Sequence, residues 1–143
     1  MKLQLVALDG VKFEEDAYSI TLPSLAGEIT VYKDHMPLMT ALQPGMITIR
    51  RHQGDPDYKH DHYASFGGVA DINGDRVRIL VDEATHGDEI NFAEAEKAKA
   101  EAERRLANAK NQVELDQAQA LIDRYAVRLN VATLRRSHQR RQP

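Results

Sequence analysis

The sequence contains no cysteine. That excludes disulfide staples, thiolate nucleophiles and thiolate metal sites, and it fits a reducing compartment. No apolar run approaches the roughly 18 residues that a membrane-spanning helix requires. The opening MKLQLVALDG alternates apolar with polar side chains and lacks the unbroken apolar core of a secretory signal. It is expected to form the first strand of a cytoplasmic protein. There is no Walker loop, no G-x-G-x-x-G and no G-x-S-x-G elbow, so neither nucleotide hydrolysis by this chain alone nor serine-nucleophile chemistry is expected. At 143 residues, there is room for one domain, or for a small domain with an appendage.

Two further absences are local. From Phe92 to Gln142 there is neither glycine nor proline. From Arg124 onward there is no acid, only the six arginines Arg124, Arg128, Arg135, Arg136, Arg140 and Arg141. Residues 1–91 carry 15 acidic against 8 basic side chains, a net of −7, whereas residues 92–143 carry 7 against 11, a net of +4. The overall charge of −3 therefore conceals two unlike halves, and an electrostatic partner of the second should be acidic.

What the first half does contain is period-two alternation in short bursts, the mark of half-buried strands. Tyr18, Ile20 and Leu22 share one face, as do Ile47 and Ile49, and so do Val77, Ile79 and Val81, with Arg76, Arg78 and Asp82 opposite. Asn73-Gly74 is a hairpin signal, expected as a type I′ turn between strands near 69–72 and 76–81. Residues 53–57, QGDPD, mark a second turn. The segment GEITVYKDHMPLMTALQPGM, residues 27–46, holds two prolines and two glycines and is expected to be a stiff loop between strands.

After Gly87 the composition turns to strong helix formers. Asn91 followed by Glu94 makes a capping box that starts a helix. Phe92, Ala95, Ala98, Ala102, Leu106 and Ala109 form a stripe of small residues, and Ala118, Leu121, Ile122, Tyr125, Leu129 and Ala132 form a bulkier one. The polar stretch Asn108 to Gln112 separates them, which suggests an antiparallel helical hairpin. Nothing in that stretch forbids helix, so one continuous rod of roughly 65 Å is the competing shape. The fold class expected is α+β: an N-terminal antiparallel β-sandwich over residues 1–88 and a two-helix hairpin over 89–143, with the tail Ser137 to Pro143 frayed.

Chemistry-bearing candidates are few. His60 and His62 would share a strand face with His52 across a hairpin, but spacing fixes no third ligand, and an exposed strand edge explains them as well. No metal, catalytic or cofactor site is expected. Arg124 and Arg128, four apart, project from one helix face toward one target, whereas Arg135 and Arg136 also suit a helix C-terminus.

The segment 27–49 also resembles the signature of the epsilon subunit family of F-type ATP synthases. The pattern is G-E-x-G, a turn, then H-x-P-L-x-T-x-[IL]-x-P-G, matched at Gly27-Glu28, His35, Pro37-Leu38, Thr40, Leu42 and Pro44-Gly45. The later SFGGVADINGDRVRILVDEA is similar to that family's Gly-Gly strand, turn and V-x-V-L strand. The resemblance implies a rotor component with no catalytic site of its own. Its sandwich would touch the gamma subunit and the c-subunit ring, through Glu28, His35, Met36, Pro37 and Leu38. Its hairpin would either fold or extend along gamma to obstruct ATP hydrolysis, with Arg124, Arg128, Arg135 and Arg136 meeting the alpha and beta subunits. The implied location is the cytoplasmic side of the cell membrane, reached only through the complex, without nucleic acid.

Some members bind ATP on the hairpin through [IL]-D-x-x-R-A. Here Ile90 is followed by Asn91 in place of Asp, and Glu94 stands in place of Arg; this degenerate motif implies weak or absent ATP binding. Thr30, Lys33 and Asp34 also depart from the signature. The alternative readings are a stand-alone binding module for an acidic partner or nucleic acid, and an enzyme with a histidine metal site.

Overall fold

The computed structural model describes residues 1–141, the last by its backbone alone; Gln142 and Pro143 lie outside the described residues. Eight strands come first: β1 (Lys2–Ala7), β2 (Gly10–Asp16), β3 (Ser19–Ser24), β4 (Gly27–Tyr32), β5 (His35–Leu42), β6 (Gly45–Arg50), β7 (Asp61–Gly74) and β8 (Arg76–His86). Two helices follow, α1 (Phe92–Ala107) and α2 (Gln112–Arg141). Short 3-10 turns at Asp57–Lys59 and Gly87–Glu89 fill the gaps before β7 and α1.

The strands run in the order β2-β1-β8-β7-β5-β3-β4, with β6 joining β3 to β7. One strand, β7, serves both layers of the sandwich: its first residues, from Asp61 to Ser65, pair with β6, and those from Gly68 pair with β5. Between them Gly67 has φ +60, and a Cβ on Gly68 would lie 2.2 Å from the Leu80 carbonyl oxygen. Only glycine fits a strand bent this close to its neighbour. The pairings are antiparallel apart from β1 with β8, which is parallel. Strands so far apart in sequence are free of the short-hairpin connection that enforces antiparallel pairing.

Ile20, Leu22, Ile47, Ile49, Val77, Ile79 and Val81 face the core as expected, together with Leu5, Val31 and Ile72, but Tyr18 is only half-buried and precedes β3. Burial of such side chains contributes about 1.5–3 kcal/mol each before entropy. The whole cluster is drawn from residues up to Ala84, so the sandwich closes its core without the helices.

Two turn expectations need correction. Residues 27–46 are not a loop but β4, β5 and the start of β6, connected by tight turns. Pro37 is tolerated because it falls between His35 and Leu38, where the β5–β7 register shifts and a missing amide breaks no ladder bond. The β7–β8 turn centres on Gly74-Asp75, since Asn73 pairs with Arg76. Positive φ falls on Gly74, the type II′ pattern, and not on Asn73 as a type I′ turn would require.

The helices form a hairpin. The Glu94 amide donates to Asn91 Oδ1 at 3.0 Å, capping α1. The Glu114 amide donates to Asn111 Oδ1 at 2.9 Å, and Glu114 Oε2 accepts from the Lys110 amide at 2.8 Å. This second capping motif starts α2 afresh and stops a continuous rod. Its sequence signal, Asn111 three before Glu114, lay unused in the polar stretch. The tail from Ser137 to Arg141 continues α2 rather than fraying.

Candidate functional site

The outer face of the β5-β7-β8-β1-β2 layer carries an apolar row. Ala41 pairs with Val69, Val69 with Leu80, Leu80 with Val6 and Val6 with Val11. Directly opposed residues share a sheet face, so the five line up across five strands. Leu80 is 50% exposed and Val11 54%. The adjacent row, Met39, Asp71, Arg78, Gln4 and Glu14, is mostly polar. A contiguous apolar stripe with a polar rim is what a protein interface presents.

The signature residues lie on strands β4 and β5. Glu28 is exposed on β4, and its register partner Pro23 lies on β3. Met36 is 75% exposed, and Pro37 and Leu38 are also exposed. His35 is half-buried, its Nδ1 2.6 Å from the Met36 carbonyl oxygen. Between the strands, Lys33-Asp34 makes the turn, with Asp34 at φ +64, a left-handed conformation that Asp accepts better than most side chains. Glu28 and the group His35, Met36, Pro37 and Leu38 thus lie on strands consecutive in the chain but separated in the sheet by β3, and of the five only His35 is half-buried.

The second half of the site is the seam between α2 and the sandwich. Arg124 and Arg128 both reach Glu83 of β8, one on each carboxylate oxygen. Both guanidinium groups also lie over the Phe66 ring, at 5.0 and 5.9 Å from its centroid. Arg135 pairs through Nε with Asp88 at 2.8 Å and donates to the Gly87 carbonyl at 3.2 Å. Arg136 stacks over Phe92 of α1 at 4.4 Å. Arg124, Arg128, Arg135 and Arg136 are therefore all engaged within the chain in the folded hairpin. Charge-assisted hydrogen bonds of this kind contribute about 1.5–3 kcal/mol each when shielded, and less where exposed. Close approach is permitted by Gly87, whose absent Cβ would sit 3.2 Å from Val131. Val131 is fully buried although the sequence stripe omitted it.

The ATP-motif positions flank this seam. Ile90 and Asn91 lead into α1 and Glu94 sits in its first turn, beside a cleft that Tyr125 and Arg128 also line. Glu94 adds negative charge where a triphosphate would need positive, and Arg128 already serves Glu83.

The histidines divide. His52 pairs locally with Asp55, Nδ1 to Oδ2 at 3.3 Å. His62 is buried rather than at an exposed edge, its Nδ1 3.1 Å from Thr48 Oγ1. Burial pushes its imidazole down to about 4. The hydrogen bond that His86 donates to Asp61 raises its imidazole above the ordinary value. Burial acts to raise Asp61 itself, but the bonds from His86 and Arg51 outweigh it and hold the carboxyl below its ordinary value. Among the described residues no group of three or more His, Cys, Asp or Glu side chains is arranged to hold a metal, and no helix is long and apolar enough to cross a membrane.

Comparison with known proteins agrees with this architecture. Residues 1–87 match the family model for the ATP synthase delta/epsilon chain β-sandwich domain, and residues 88–133 match that for its long α-helix domain. The ATP synthase epsilon chain of Herpetosiphon aurantiacus is 33% identical over 97% of this chain and 98% of its own length. That of Delftia acidovorans is 32% identical over 97% and 100%. Among solved structures, a chain of the Euglena gracilis mitochondrial ATP synthase comprising OSCP, F1 and c-ring superposes with a TM-score of 0.79 at 25% identity, covering 93% of this chain and 81% of that one. A chain from the central stalk and c-ring of the Tetrahymena thermophila enzyme shares the fold, with a TM-score of 0.64 at 13% identity over 92% of this chain and 96% of that one. On its sandwich, its helical hairpin and its full-length similarity to these relatives, the chain belongs to the ATP synthase delta/epsilon chain family.

Proposed function

We propose that this chain is a central-stalk rotor subunit of an F-type ATP synthase, working in two parts. Residues 1–88 dock on the gamma subunit and the c-subunit ring, so that ion-driven rotation of the ring reaches the catalytic subunits. Residues 89–143 regulate, folding as the hairpin or extending along gamma to meet the alpha and beta subunits and obstruct ATP hydrolysis. The chain itself supplies no catalytic group, and it reaches the cytoplasmic face of the membrane only through the complex.

The observation that carries the docking half is the apolar row from Ala41 through Val69 and Leu80 to Val11, left open by the hairpin. Glu28 on β4 and His35, Met36, Pro37 and Leu38 on β5 supply further contacts, assigned by family resemblance to the ring and, for His35 to Leu38, to gamma as well. Support for the regulatory half comes from Arg124, Arg128 and Arg135, which meet carboxylates of the sandwich in the folded form. Extension frees the same guanidinium groups for acidic segments of the catalytic subunits. This internal neutralisation also favours a protein partner over nucleic acid, which needs a standing basic patch. Co-purification tests the docking reading: the chain should retain gamma and the membrane ring, and recovery of the chain alone would overturn it.

A further inference from the structure

A cleft of about 260 Å³ lies where the end of α2 meets the sandwich, lined by His60, His62, His86 and His138 among others. His62 is its most buried imidazole, at 8% exposure. Its Nδ1 side is held by Thr48 of β6, but Nε2 is buried and has no hydrogen-bond partner among the described residues. The ring of His138, carried by α2, lies 5.6 Å away, and that of His60 lies 6.3 Å away.

A neutral imidazole suits this place and a charged one does not. Protonation would put a cation on Nε2 with no acceptor and little water, and burial of an unpaired charge is strongly unfavourable. Its surroundings deepen the penalty. Beside His62 stand Lys59 and His60 from the turn before β7, His86 at the end of β8, and Arg135 and His138 from α2. The carboxylates in reach are already used: Asp61 by Arg51 and His86, and Asp88 by Arg135.

We propose that the contact between His62 and His138 is an acid-sensitive clasp, which holds the C-terminal segment of α2 on the sandwich while His62 is neutral and releases it when His62 takes a proton. Undocking that segment opens His62 to water and lets it titrate at its ordinary value. The His86–Asp61 bond joins two residues of the sandwich, so both partners stay in place when α2 undocks. The clasp concerns the docking of α2 on its own chain and stands whether or not the chain occupies a rotor.

The test is amide hydrogen exchange over residues 126–141 of the full chain, corrected for the intrinsic pH dependence of exchange. With His62 at about 4 when docked and 6.5 when free, opening should rise about thirty-fold between pH 7.5 and pH 5. His62→Asn, which keeps a polar group near Thr48 but cannot titrate, should flatten the response. A wild-type response below about three-fold overturns the clasp, and so does a full response in His62→Asn. If that variant does not fold, the wild-type imidazole titration by NMR decides. A midpoint near 4, or protonation coupled to loss of α2 signals, supports the clasp; a midpoint at 6.5 with α2 signals unmoved overturns it.

Discussion

Glu83 on β8 and Arg128 on α2, 45 residues apart in sequence, meet in a half-buried charge-assisted hydrogen bond, and Arg124 takes the other oxygen of the same carboxylate. One acid on the sandwich thereby anchors two turns of α2. Removing the acid and removing the bases should have opposite consequences. Glu83→Gln should loosen the folded hairpin by about 1–2 kcal/mol and favour the extended form, so that hydrolysis by the assembled complex falls. Arg124→Glu with Arg128→Glu should loosen the hairpin as well but also remove the contacts proposed for the extended form, so hydrolysis should rise. If both variants move hydrolysis the same way, these arginines do not act on the catalytic subunits.

The apolar row makes a separable claim about docking. Val69→Glu and Leu80→Glu lie on a solvent-facing surface, so each should change folding stability by no more than about 0.5 kcal/mol. Each should sharply weaken retention of gamma in a pull-down. Undiminished retention would move the interface elsewhere on the sandwich.

ATP binding should be weak or absent. Glu94 brings a carboxylate to the position where a triphosphate needs a cation, and Arg124 and Arg128 already share Glu83. Calorimetry should detect no micromolar binding of ATP, and a micromolar Kd would contradict this.

Stability should vary with pH in two opposed steps. His86 is raised by Asp61, so its contribution is complete below about 6.5 and is lost as pH rises through its folded value. His62 is depressed to about 4, so stability is lost as pH falls from about 6.5 toward 4, by up to about 3 kcal/mol. The depressed carboxyl of Asp61 keeps its contribution until pH falls through its own, lower value. Urea denaturation across pH 8 to pH 4 should therefore pass through a maximum near pH 6.5. A flat profile would show that neither histidine is coupled to folding.

Much of this was legible locally. The pair Ile20/Leu22 and the triplet Val77/Ile79/Val81 announced their strands because one buried face imposes period two. Asn91 announced α1 because a cap acts within three residues. Residues 27–46 misled because Pro37 and Pro44 signal a break, whereas the register shift beside Pro37 absorbs the first and the turn into β6 absorbs the second. Asn111 and Glu114 carried a readable cap that a search for glycine or proline passes over. The bond from Glu83 to Arg124 and Arg128 was not legible at all. It joins residues more than forty apart, and only the docking of α2 on β7 brings them together. The same docking hid the burial of His62, which period two alone could not distinguish from an exposed edge.

Because the sandwich core closes within residues up to Ala84, the part proposed to regulate can be removed while leaving intact the core of the part proposed to dock. The direct measurement is ATP hydrolysis by the reassembled complex, with the full chain and with a chain lacking residues 90–143. The shortened chain should still co-purify with gamma and the ring, while hydrolysis rises. Hydrolysis unchanged by the deletion, with the shortened chain fully incorporated, would contradict a regulatory hairpin on a rotor-docking sandwich.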